Sequence, residues 1–142
     1  MKKTITTSLI ALSLGLASAS AMAADPMVDV MNQSASAQGV VTVPAVNMGE
    51  DGFLVIHESN AMGKPVAPGS VGFVRLKAGE HKNVSVILHR PVMPGEKLFA
   101  MLHHDTGKMG VYEFGPGSTD VDKPVTANGK VVIKPFMIKG GM

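Results

Sequence analysis

The sequence predicts an all-β domain, an antiparallel β-sandwich or small barrel of about seven strands. Glycine and proline are frequent, with 16 and 9 among 142 residues. Since glycine or proline inside a helix costs about 1 to 3 kcal/mol, a helix of three turns has almost nowhere to form beyond residue 39. Short β-branched and aromatic runs recur there instead, separated by turn-forming residues. This pattern is typical of a sandwich or barrel.

A secretory signal peptide precedes the predicted domain. Lys2 and Lys3 form a positive start, residues 5–16 form an apolar stretch, and Ala21 and Ala23 occupy the small-residue positions of a cleavage site. The apolar stretch is too short for the roughly 20 residues that a membrane-spanning helix needs. We therefore predict cleavage of residues 1–23, no membrane span, and export to a bacterial periplasm or to the extracellular space.

The predicted mature chain starts with an arm and continues as one domain. Residues 27–38 form its longest stretch without glycine or proline and are rich in serine and alanine. We expect residues 24–39 to be a flexible N-terminal arm. Residues 40–142 remain for a single β-sandwich, which suits the usual size of one domain.

Seven runs have the length and composition of strands, and their alternation predicts which side chains are buried. Val84, Val86 and Leu88 share one face of their strand, whereas Ile87 points the other way. The segment 52–56 is apolar on both faces, which indicates a central strand. The predicted strands cover residues 40–46, 52–57, 70–76, 83–89, 97–103, 110–114 and 130–138.

Proline and glycine positions predict the edges and turns. Pro44 and Pro135 each remove a backbone donor, so we expect the first and last strands to be edges or to carry bulges. Asn128-Gly129 is the sequence of a type I′ hairpin turn, because both residues tolerate the left-handed conformation. This turn would pair residues 124–126 with the final strand.

Composition excludes several functions. The chain has no cysteine, which rules out disulfides, thiolate metal sites and cysteine nucleophiles. Without Lys2 and Lys3 the mature chain carries 11 basic and 11 acidic residues, so we expect no nucleic-acid partner. No Gly-x-Ser-x-Gly elbow and no glycine-rich phosphate loop occurs, and we predict that the protein is not an enzyme.

Several strings within residues 40–138 form a recognisable pattern. They are residues 51–57, 69–72, 77–84, 98–103, 105–107 and 111–114, with a valine-rich closing strand. This pattern resembles the DUF7282 family, a domain of exported and cell-surface proteins of archaea and bacteria. The resemblance implies an immunoglobulin-like or cupredoxin-like sandwich, and it implies no activity, cofactor or site residue.

Histidine and methionine form the one combination that suggests a metal. Imidazole and thioether groups suit copper, and thioether favours Cu(I). The candidate ligands are Met101 and His103 on one strand face, His104 at the start of the next turn, and His57 if its strand is a neighbour. Buried methionine and hydrogen-bonded histidine are also ordinary structural residues, and we expect these four side chains to be mainly structural, with no cofactor.

The loop after His104 has a carboxylate and glycines but not the repeated acidic residues of a calcium loop. We predict a turn in which the Asp105 side chain accepts bonds from nearby backbone amides. Glu113 is expected to be the solvent-facing member of an alternating strand. The sequence as a whole favours a non-catalytic binding or structural module of the cell envelope, with a periplasmic copper-binding protein as the alternative.

Overall fold

The protein is built almost entirely of strands in the computed structural model, which describes residues 24–34 and 36–140. The predicted signal peptide, residues 1–23, lies outside the described residues. No helix occurs in the described part, and therefore none long and apolar enough to cross a membrane. The strands are β1 (Met27–Asp29), β2 (Gln33–Ser34), β3 (Val40–Met48), β4 (Gly52–Glu58), β5 (Gly72–Leu76), β6 (Gly79–Ile87), β7 (Lys97–His104), β8 (Thr126–Ala127), β9 (Lys130–Val131) and β10 (Ile133–Lys139).

The strands form two main sheets, which confirms the predicted all-β sandwich class. One sheet has the order β1-β3-β6, and the other has the order β2-β10-β7-β4-β5. Every pair in them is antiparallel except β2 with β10, which run parallel over two residues. A small hairpin of β8 and β9 follows the long connection after β7.

A single apolar cluster fills the space between the two sheets. Val41 and Val86 from the small sheet join Leu54, Ile56 and Leu102 from the large one, and all five side chains are fully buried. The alternation predicted for β6 is confirmed, since Val86 is 0% exposed and Ile87 is 71% exposed. Burying side chains of this kind contributes about 1.5 to 3 kcal/mol each.

The two central strands of the large sheet, β4 and β7, are buried on both faces. One face of each contributes to the inter-sheet core. The other carries the side chains of Phe53, Val55, His57, Phe99, Met101 and His103, all of which are also buried. The predicted central position of residues 52–56 is thus confirmed, and this second face carries the candidate site.

Two strand predictions were wrong. Residues 110–114 are not a strand, because backbone amides of this region bond to the side chains of Asp122 and Asp105 instead of to a neighbouring strand. The run 130–138 is divided between β9 and β10, with Val132 donating to the Val125 carbonyl between them.

The N-terminal segment differs from the flexible arm that we expected over residues 24–39. Met27–Asp29 pairs with β3, and Val28 is buried in the core. Gln33–Ser34 pairs with β10, and the Gln33 side chain bonds both backbone groups of Thr42. Backbone pairing and one buried valine hold this segment, so its polar composition alone was misleading.

The turn predicted at Asn128-Gly129 is present, but the first predicted strand is not an edge. β3 is the middle strand of its sheet and not an edge; Pro44 fits there because β1 ends opposite Ala45, one residue away. Asn128 and Gly129 have φ values of 53° and 77°, as a type I′ turn requires, and they join β8 to β9.

Candidate functional site

Two histidines meet on the outer face of the large sheet. The β4–β7 register pairs Phe53 with His103, Val55 with Met101, and His57 with Phe99. His57 and His103 therefore lie on a diagonal, with the Val55–Met101 pair between them along the strands. Their Nε2 atoms are 3.4 Å apart, and the ring centroids lie 5.5 Å apart at an interplanar angle of 28°.

Each histidine donates its Nδ1 hydrogen to the backbone of a connecting segment. His57 Nδ1 lies 2.6 Å from the Gly69 carbonyl oxygen and 3.0 Å from that of Val66, both between β4 and β5. His103 Nδ1 lies 2.7 Å from the Asp122 carbonyl oxygen, in the connection after β7. A carbonyl oxygen can only accept, so each Nδ1 carries a proton and the Nε2 atoms face one another.

Burial keeps both rings neutral. His57 and His103 are each 0% exposed, and loss of solvation lowers the pKa of both side chains, that of His103 to about 4. Hydrogen bonds to the carbonyl oxygens oppose this shift without cancelling it. A neutral imidazole with a proton on Nδ1 has a lone pair on Nε2, so the site contains two lone pairs directed at each other.

Aromatic side chains surround the histidine pair. His103 contacts Tyr112 edge-on at a centroid distance of 5.5 Å and Phe114 at 4.9 Å. Tyr112 also packs on Phe53 at 5.3 Å. Its hydroxyl is buried without a hydrogen-bond partner in the described part of the chain, and burial raises its pKa. Aromatic rings thus line the histidine pair on the His103 side.

Asp122 fixes the segment that covers His103. Its carboxylate oxygen Oδ1 accepts hydrogen bonds from the backbone amides of Thr106, at 2.7 Å, and Gly107, at 3.4 Å. The other oxygen, Oδ2, accepts a hydrogen bond from the Glu113 amide at 2.8 Å. Its own amide donates to the Thr106 hydroxyl at 3.0 Å. Asp122 is fully buried, and its side chain accepts the backbone hydrogen bonds that a neighbouring strand would otherwise accept.

The predicted Asp105 turn is confirmed, but Glu113 differs from its prediction. Asp105 Oδ2 accepts from the Gly110 amide at 2.8 Å and from Arg75 Nε at 3.0 Å. Glu113 is not part of a strand; its carboxylate accepts from the Lys108 amide at 2.7 Å. Both carboxylates stabilise the loop.

Three of the four candidate copper ligands share one face of the sheet. His57 and His103 are in contact, and Met101 lies between them in the register, only 5% exposed. His104 does not belong to the group. It is still part of β7, so alternation directs it to the opposite face, where its Nδ1 lies 2.6 Å from Glu50 Oε1.

The described residues contain no cluster of three or more histidine, aspartate or glutamate side chains suited to hold a metal. A metal at the pair would therefore need two imidazoles and a donor of another kind. Sequence reasoning missed Asp122 and the aromatic pocket, because Asp122 lies 19 residues from His103 and no short motif joins them.

The metal-free protein is predicted to lose stability in mild acid. With a pKa near 6.5, unfolded histidine binds protons between pH 6.5 and about 4, whereas folded His103 remains neutral there. The stabilisation is complete above pH 6.5 and decreases as the pH falls. We expect the free energy of unfolding in urea to drop by about 2 kcal/mol between pH 7 and pH 5 from His103 alone. Equal stability at the two pH values would contradict the buried neutral pair.

Comparison with known proteins gives one family and one curated relative. The family model described as "Domain of unknown function (DUF7282)" matches residues 26–139. A segment of "Cell surface glycoprotein 1" from Haloarcula hispanica is 36% identical over 92 residues, which is 65% of this chain and 9% of that protein. The chain thus spans less than a tenth of this relative. No solved structure matches the chain.

Proposed function

The chain belongs to the DUF7282 family, and on this basis we propose that it is an exported, non-catalytic binding or structural module of the cell envelope. The observation that carries the proposal is the similarity to a segment of a protein named as a cell surface glycoprotein. A domain that corresponds to 9% of a much longer surface protein is suited to be one module among others.

The architecture is suited to a structural or binding role. The core between the sheets is continuous, and β4 and β7 are buried on both faces. Ion pairs connect exposed segments to this frame, for example Arg75 with Asp105 at 3.0 Å and Arg90 with Glu58 at 2.8 Å. A rigid sandwich with ordered connections can present loops to a partner, as many cell-surface domains do.

The experiment that tests this proposal is export of the full-length chain. Expressed in a bacterium, the exported form is expected to begin at Ala24 or Asp25, because Ala21 and Ala23 suit the cleavage site. Leu12→Arg puts a charge into the apolar stretch and should keep the uncleaved chain inside the cell. Lys3→Arg preserves the positive start and is the matched control. Intact-mass analysis of the cellular fractions measures both outcomes.

Two results would contradict the proposal. One is an exported form that retains residues 1–23. The other is export of the Leu12→Arg variant at the level of the parent, since the apolar stretch would then have no targeting role. Neither result depends on what the folded domain binds.

A further inference from the structure

The facing Nε2 atoms of His57 and His103 are not explained by a structural role. Packing and the Nδ1 hydrogen bonds account for the position of each ring. They do not account for two acceptor atoms 3.4 Å apart in a buried, apolar pocket. Buried polar groups that face each other without a donor are costly, so such a pair is suited to take up an electron-pair acceptor, either a proton or a metal ion.

A proton is the weaker explanation. A shared proton would make the pair cationic at neutral pH, inside a pocket where burial lowers the pKa of both rings. Within residues 24–34 and 36–140 no carboxylate oxygen bonds either ring; the hydrogen-bond partners are the Gly69, Val66 and Asp122 carbonyls and the other imidazole. The Asp122 carboxylate accepts from the amides of residues 106, 107 and 113, and its charge raises the pKa of His103 by less than burial lowers it.

The spacing of the Nε2 atoms suits a metal ion. With metal–nitrogen distances of about 2.0 to 2.1 Å, two nitrogens 3.4 Å apart subtend an angle of about 110 to 115° at the ion. This angle leaves room for a third ligand. Both Nδ1 atoms are already fixed by carbonyl oxygens, as the second nitrogen of a metal-binding histidine usually is.

The kinds of ligand atom available at the histidine pair favour Cu(I) over Zn²⁺. The described residues offer no third histidine or carboxylate at the pair, which disfavours the four-ligand sites of Zn²⁺. Met101 shares the face and lies between the two histidines in the β4–β7 register, and a thioether is a ligand for Cu(I). An apolar pocket lined by Tyr112 and Phe114 also suits a singly charged, soft ion better than a strongly hydrated divalent one.

We propose that His57 and His103 bind one Cu(I) ion through their Nε2 atoms, with the Met101 thioether as the third ligand. The site is covered by the β4–β5 connection and by the segment after β7, which hold the two Nδ1 atoms. Copper must therefore enter by local opening of one of these segments. The proposal is independent of the envelope role and can fail without affecting it.

The test is competition for Cu(I) between the metal-free mature protein and bicinchoninate under reducing, anaerobic conditions. We expect one Cu(I) per chain. His57→Gln and His103→Gln should each weaken binding by more than the roughly 10- to 100-fold that the loss of an outer partner of a metal ligand costs. His104→Gln is the matched control, because it changes the adjacent histidine on the opposite face and should bind as the parent does.

A separate substitution tests Met101, the proposed third ligand. Met101→Leu preserves the volume of a buried side chain but removes the sulfur, so it should weaken Cu(I) binding while the stoichiometry stays at one. Met93→Leu changes an exposed methionine and should have no effect. Unchanged affinity of the Met101 variant would overturn its assignment as a ligand.

X-ray absorption of the copper-loaded parent tests the site without any substitution, in case the buried histidine variants do not fold. We expect two imidazole nitrogens and one sulfur around Cu(I). Failure to compete for Cu(I) would overturn the proposal. So would binding that persists in both histidine variants, because copper would then be held by exposed methionines such as Met62, Met93 and Met109.

Discussion

Replacing Val86 with aspartate is expected to destabilise the domain severely. Val86 is 0% exposed, lies opposite Val41 in the β3–β6 pair, and belongs to the cluster between the sheets. A carboxylate there would be buried without a partner, which places the change among the most destabilising substitutions, at more than about 4 kcal/mol. Single domains of this size have total stabilities of about 5 to 15 kcal/mol. Circular dichroism with urea unfolding at pH 7 measures the loss.

The next residue provides the matched control for Val86. Ile87 is 71% exposed on the other face of β6, so Ile87→Asp adds the same charge to solvent. Its stability should stay within about 0.5 kcal/mol of the parent. If Val86→Asp unfolded at the same urea concentration as Ile87→Asp, the assignment of this face to the core would be wrong.

Asp122→Ala is expected to have the second largest effect, a loss of about 3 to 5 kcal/mol. The substitution removes the acceptor of the Thr106, Gly107 and Glu113 amides, and each hydrogen bond to a charged group contributes about 1.5 to 3 kcal/mol. The Gly107 bond is long at 3.4 Å and should contribute least. Asp122 also has a φ of 50°, which aspartate and asparagine tolerate better than alanine.

Asp120→Ala and Asp122→Asn define what the Asp122 carboxylate does. Asp120 is exposed, so its removal should leave urea unfolding unchanged. Asp122→Asn retains one acceptor oxygen and the tolerated backbone, and should lie between the parent and Asp122→Ala. Hydrogen exchange should show faster opening of residues 105–122 in the alanine variant. Unchanged exchange there would mean that Asp122 does not hold the segment.

The sequence was sufficient to predict the class of fold and the buried faces, because alternation is a local property. Val86 is buried and Ile87 is exposed because successive side chains of β6 point to opposite faces of the sheet. The three-residue strand β1 could not be predicted in the same way. Its place depends on backbone bonds to β3, more than ten residues later, and its only buried side chain is Val28.

The candidate site was predictable only in part. His57 and His103 were expected to meet if their strands were neighbours, and β4 and β7 are neighbours. His104 was included because a turn was expected at that residue, but β7 continues through it and directs its side chain away. The Asp122 and Tyr112 contacts join distant parts of the chain, and no local pattern indicates them.

The proposed copper site requires that the Nε2 atoms of His57 and His103 form a donor pair directed at one point. The most direct measurement is the ¹⁵N chemical shift of the imidazole nitrogens at pH 7, without metal and after one equivalent of Cu(I). We predict that both rings have protonated Nδ1 and unprotonated Nε2 without metal, and that Cu(I) shifts both Nε2 resonances while each Nδ1 keeps its proton. A protonated Nε2 on either ring in the metal-free protein, or Nε2 shifts that Cu(I) leaves unchanged, would contradict this account.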